Sequence, residues 1–136
     1  MNQLSIAKRA QVIGALVEGN SINATCRMFG VGKHTVLRLL EDAGVACEKF
    51  HDRYVRNLRV RRLQCDEIWS FIGAKAKNVK PQREPEGWGD VWTWTAIDAD
   101  TKLCVGYLVG GRDAGWAEEF TQQVIPDQLG RTQCGG

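Results

Sequence analysis

The chain has 136 residues, room for one ordinary domain or for a small helical module joined to part of a larger one. An apolar fraction of 43% and a charged fraction of 25% exclude a disordered chain. No apolar run approaches the ~20 residues of a spanning helix, and "MNQLSIAKRA" has a basic pair but no signal-peptide core, so no membrane partner and a cytoplasmic location are expected.

The net charge of +2 hides an asymmetry. Residues 1–65 carry 11 Lys/Arg against 5 Asp/Glu, a balance of +6, and residues 66–136 carry 7 against 11, a balance of −4. A basic first half suits a polyanionic partner, although charge alone fits a solvated surface equally well. Cys26, Cys47, Cys65, Cys104 and Cys134 are widely spaced with no C-x-x-C, so neither a disulfide framework nor a zinc site is expected.

Ser5 predicts the cap of a first helix running to about Glu18, with Ile6, Ala10, Ile13 and Val17 recurring on one face and Gly19 as the stop. Ser21 predicts the cap of a second, shorter helix to about Met28. After "FGVG" a third helix is expected from about Lys33 to Ala43, with Val36, Leu39, Leu40 and Ala43 inward and Gly44 closing it. Three short helices with a Gly-containing break before the last have the form of a helix-turn-helix unit. Gly30 can take the left-handed turn conformation, and Cys26 is small enough to let the helices approach.

On that reading the third helix presents Lys33, His34, Thr35 and Arg38 to DNA, where they can meet phosphates or base edges. A plain helical hairpin with a solvated His34 has the same pattern. The substring "GVGKHT" is not a phosphate loop, because Arg27 stands where the first Gly is needed and His34 follows the Lys.

Residues 46–62 read as a basic linker. "HDRYVRNLRVRR" holds Arg53, Arg56, Arg59, Arg61 and Arg62 with Tyr54, Val55, Leu58 and Val60 between them, which would suit tracking a DNA backbone. A helix or strand with one wet, arginine-rich face fits as well. From residue 63 the period becomes that of strands. "LQCDEIWSFIG" is followed by a lysine-rich loop, then "VWTWTAID" and "KLCVGYLVGG" flank a turn at "ADT", predicting a hairpin. Asp113 can cap a last helix in which Trp116, Phe120 and Val124 share a face.

The acidic pair inside the first strand is the anomaly. Alternation puts Asp66, Ile68, Ser70 and Ile72 on one face and Glu67, Trp69 and Phe71 on the other. A carboxylate among apolar neighbours costs several kcal/mol unless something compensates it. Metal-dependent nucleases hold divalent ions on such strand carboxylates. A strand-end Asp that faces solvent, Arg61 or Arg62 is the plainer possibility, and both stay open on the residues alone.

Over the stretches "MFGVGKHTVLRLLED", "HDRYVRNLRVRRLQCDEIWSFIGAK" and "GWGDVWTWTAIDADTKLCVGYLVGGRDAGWA", the chain resembles the N-terminal part of transposases of the insertion-sequence-one family and their close relatives. The resemblance, which includes the D-E-x-W-x-x-x-G pattern of Asp66, Glu67, Trp69 and Gly73, runs to about residue 125. It implies an α+β chain: a helix-turn-helix DNA-binding domain over 1–45, the basic linker over 46–62, and a partial ribonuclease-H-like core over 63–136 with three antiparallel strands and one helix. It implies that Asp66 is the first Asp of an Asp-Asp-Glu triad and a ligand of Mg²⁺ or Mn²⁺. It implies double-stranded DNA, the terminal inverted repeats of the element, as the partner, with a second copy or full-length transposase as another, and a bacterial-type, DNA-associated location. Asp98 and Asp100 fall at the hairpin turn, where Asp is favoured for turn reasons.

The sequence departs from that family in two ways. No acidic residue follows Asp127, so the second Asp, in a T-D-G motif, and the later Glu have no counterpart, and no cysteine-rich finger precedes Ser5. The expectation is a truncated or frameshifted transposase that binds DNA without transposing it, or a regulator of transposition. Without a fourth strand beside it, the strand carrying Asp66 is expected to be an open edge, leaving the second half marginally stable.

Overall fold

Ser5 opens the structure. Its hydroxyl accepts from the Lys8 N–H at 3.2 Å and starts α1, Ile6–Val17. The computed structural model describes residues 3–126. The chain divides into two units, Met1–Arg53 and Tyr54–Gly136. The architecture is α+β, with three N-terminal helices followed by a three-stranded antiparallel sheet and a C-terminal helix. Residues 127–136, the end of the expected third region, lie outside the described residues.

In the helical unit, Ser21 caps α2, Ile22–Phe29, by accepting from the Ala24 N–H at 3.1 Å. Gly30 ends it at φ 62°, a left-handed value that a Cβ would resist. Helix α3 then starts at Lys33. Val12, Val31 and Val36 form the core, with Leu4, Leu16, Ile22, Cys26, Phe29 and Leu39 packed around them.

Two expectations about these helices are corrected. The inward face of α1 is not the Ile6–Val17 stripe, since Ile6 and Val17 are 78% and 79% exposed while Val12 and Ala15 are buried. The helix carries two interleaved apolar stripes, and contact with Val31 and Val36 selects the one at Val12, Ala15 and Leu16. Helix α3 does not end at Gly44 but continues to Tyr54. Gly44 keeps a negative φ, unlike Gly19 and Gly30, so it terminates nothing. A helical Gly costs only about 1 kcal/mol, and its neighbours Ala43, Ala46, Glu48 and Lys49 favour helix.

In the second unit the sheet order is β1-β2-β3, with β1 Leu63–Ile72, β2 Gly89–Asp98 and β3 Cys104–Gly110, all antiparallel. Ala96, Val105 and Phe120 are its buried centre. Leu58 and Val60 pack on that centre, so the apolar residues between the arginines of the expected linker are part of the core. Asp113 caps α4, Ala114–Glu119, accepting from the Gly115 and Trp116 N–H groups at 2.9 and 3.2 Å. A π-helical segment, Phe120–Val124, follows and turns Phe120 into the core, 6.0 Å from the Trp94 ring.

Candidate functional site: a basic helix face and an acidic edge strand

The residues expected to meet DNA fall into two groups. Lys33, His34, Thr35 and Arg38 occupy the first turns of α3 and are all exposed, while Val36 between them is fully buried. Thr35 and Val36 donate their N–H groups to the Gly32 carbonyl at 3.0 and 3.1 Å, which fixes this first turn. Helix α3 is therefore anchored through Val36, and its exposed residues include Leu37 and Leu40 beside the cations, so Leu40 does not face inward as expected.

His34, Thr35 and Arg38 line a cleft of about 390 Å³ with Arg9 of α1 and Gln3 before it. Lys33 is not part of the lining. Arg9 is a member that reading the sequence missed. The "KRA" pair was visible, but only the packing of α1 on α3 brings Arg9 to the same concavity. Asp42 also lines the cleft and reduces its positive charge.

Arg59, Arg61 and Arg62 belong to the second unit and are exposed. Arg62 is ion-paired with Asp100 at the β2–β3 turn, and its carbonyl accepts from the Ala99 N–H at 2.9 Å. Part of its charge is thus committed to holding the chain entering β1 against that turn.

On β1 the two carboxylates separate as alternation requires. Residues directly opposite one another share a face, so Glu67 stands beside Trp94 and Asp66 beside Thr95. Glu67, half-buried, accepts from Arg112 Nη2 at 3.1 Å and Nε at 3.3 Å. The same guanidinium lies 4.6 Å from the Trp92 ring. The carboxylate on the covered face is thus compensated by an arginine that neither Arg61 nor Arg62 supplies.

Asp66 is exposed, on the side that also carries the exposed Ile68, Ile72, Tyr107 and Val109. Its Oδ1 accepts from the Glu67 N–H at 2.8 Å, and its carbonyl accepts from the Thr95 hydroxyl at 3.3 Å. A divalent ion needs several oxygen ligands converging on one point. Among the described residues no group of three His, Cys, Asp or Glu side chains could hold a metal ion. Asp66 and its neighbours therefore do not by themselves fit the Mg²⁺ or Mn²⁺ that the resemblance implies.

Asp98 is buried and works as a turn acceptor. It receives the Thr101 hydroxyl at 2.6 Å, the Asp100 N–H at 3.2 Å and the Thr101 N–H at 3.4 Å. These bonds, the Thr101 hydroxyl foremost, hold its carboxyl below the ordinary value. Desolvation pushes the Cys65 thiol up.

Among the described residues no helix is long and apolar enough to cross a membrane. No protein-family model, curated protein or solved structure matches the chain.

Proposed function

We propose that this chain is a DNA-binding protein of transposition, a transposase part that docks on the terminal inverted repeats of its element through the helical unit. The observation that carries the reading is the first turns of α3. There Lys33, His34, Thr35 and Arg38 stand exposed behind a left-handed Gly30 turn, over a buried Val36. A helix so anchored can lie in a major groove with cations toward phosphates and Thr or Arg toward base edges. The motif resemblance supplies the transposition context and a ribonuclease-H-like reading of β1 to α4. On it Asp66 is the position assigned to the metal, and cleavage would require further carboxylates that the described residues do not bring to it.

The test is a gel shift on the sequences flanking the reading frame, repeated over a salt series. Binding should weaken in Lys33→Ala and Arg38→Ala, and the log–log salt slope should fall by about 0.9 for each phosphate contact removed. Unchanged affinity in both variants would remove the helix-turn-helix reading.

A second reading is a regulator that occupies the element's ends without cutting them; it agrees with Asp66 belonging to no metal-holding group of three His, Cys, Asp or Glu among the described residues. Incubation of the purified chain with end-containing DNA and Mg²⁺ tests what the two readings share, binding without cutting. Nicking that disappears in Asp66→Ala would overturn that incompetence and leave an active transposase.

A further inference from the structure

The basic loop after β1 and the aromatic side chains beside it have no role in the reading above. Trp69 and Phe71 are alternate residues of β1 and so share a face, with ring centroids 5.8 Å apart. Trp92 is directly opposite Trp69 on β2. Helix α4 and its π-helical extension cover the middle of this face around Ala96, but Trp69 and Phe71 remain 39% and 44% exposed. Cations border the rings. Lys75 Nζ lies 4.9 Å from the Trp69 ring, Arg112 lies over Trp92, and Arg83 lies 5.1 Å from the Trp88 ring. Lys75, Lys77, Lys80 and Arg83 are all exposed in the loop that joins β1 to β2. Among the described residues three carboxylates adjoin the rings or their cations, and all are engaged. Glu67 binds Arg112, Glu86 binds Arg83 at 2.7 Å, and Asp90 accepts from the Ala76 N–H at 2.8 Å, which leaves Lys75, Lys77 and Lys80 as the loop's exposed lysines.

From this arrangement we infer that the Trp69–Phe71–Trp92 shelf binds an unpaired nucleic-acid strand, stacking its bases on the rings while the loop cations meet its phosphates. The chemistry selects this occupant. Bases offer flat π faces to the ring surface that the overlying cations leave open, and the phosphates between them match Lys75 over Trp69 and the exposed Lys77 and Lys80 of the same loop. An apolar peptide would desolvate Lys75 without compensation, and an acidic peptide would leave the rings unstacked. Duplex DNA buries its base faces and cannot use the shelf. The surface belongs wholly to the second unit, so the inference stands whether or not the helical unit binds duplex.

Fluorescence anisotropy of a labelled oligothymidine with the full chain tests it, alongside a labelled duplex. Trp69→Ala should weaken oligothymidine binding about tenfold, the loss of one stacked base, and leave the duplex signal unchanged. Trp69→Phe keeps a ring and should restore most of the affinity. Lys75→Glu alters only an exposed side chain and should weaken the same complex even if Trp69→Ala folds poorly. Absence of oligothymidine binding overturns the inference. So does equal affinity across wild type, Trp69→Ala and Lys75→Glu. Displacement by polyglutamate as effective as by unlabelled oligothymidine overturns it too, because charge alone would then account for the binding.

Discussion

Gly73 and Gly87 sit at either end of the loop between β1 and β2, and the structure separates what a methyl group would do at each. Both have left-handed backbones, φ 68° and 73°, so Ala at either position costs about 1–2 kcal/mol for the conformation alone. At Gly87 the new Cβ meets nothing within 4 Å. At Gly73 it falls 2.2 Å from Cδ2 of Trp88 and 2.5 Å from two further ring carbons. The indole would have to retreat by about 1 Å, leaving its place under Arg83, and overpacking of this kind adds about 1–3 kcal/mol. Gly87→Ala should therefore cost about 1–2 kcal/mol and Gly73→Ala about 2–5 kcal/mol. With a urea dependence of about 2 kcal/mol per molar, the two midpoints should differ by about 1 M. Tryptophan fluorescence is the right signal, because Trp69, Trp88, Trp92, Trp94 and Trp116 all lie in the second unit. In a Trp88→Ala background the excess cost at Gly73 should vanish, a coupling that a double-mutant cycle measures directly. Equal midpoints for the two variants, or an excess that survives removal of the indole, would show that the Trp88 ring does not set the cost at Gly73.

Val36→Ala removes two buried methyl groups from the helical core and should cost about 2 kcal/mol including the cavity. The far-UV circular-dichroism melt should fall by about 8 °C or more, and an unchanged melt would show that Val36 is not the anchor of α3. Asp98 makes stability depend on pH with a defined sign. Its folded pKa lies below the ordinary 3.8, so its contribution is complete above the unfolded value and is lost as pH falls through the lowered folded one. Urea midpoints should decline across that acidic window in wild type and less steeply in Asp98→Asn, and parallel profiles would count against the turn role. Glu67→Gln should change stability by less than about 1 kcal/mol, because its partner Arg112 is largely solvent-exposed. A loss of several kcal/mol in chemical denaturation would mean that the pair is more deeply embedded than its geometry indicates.

The features legible in the sequence were those set by a single residue's own chemistry. Ser5, Ser21 and Asp113 cap helices because a short side-chain oxygen reaches an N–H two or three residues on. Gly30 turns because it lacks a Cβ, and Asp98 organises a hairpin turn as a local acceptor. What could not be read depends on partners distant in sequence. The two apolar stripes of α1 are equivalent until Val31 and Val36 choose between them. Leu58 and Val60 look like spacers among arginines until the sheet supplies their neighbours. Arg9 joins His34 and Arg38 only through helix packing, and Arg112 finds Glu67 across 45 residues of chain.

The position of β1 at the margin of the sheet gives its acidic pair a further consequence, which concerns solubility. If two copies met along this strand antiparallel and centred, the register would set Glu67 of each beside Ile68 of the other, with Asp66 one step away. Asp66 of both copies would then stand near the middle of the seam, beside Glu67 carboxylates held by their Arg112 partners, and the like charges of Asp66 oppose pairing. The residues that interrupt an otherwise apolar strand thus act as its gatekeepers. Their protection rests on charge, so replacing them by Asn and Gln would turn a guarded margin into an adhesive one.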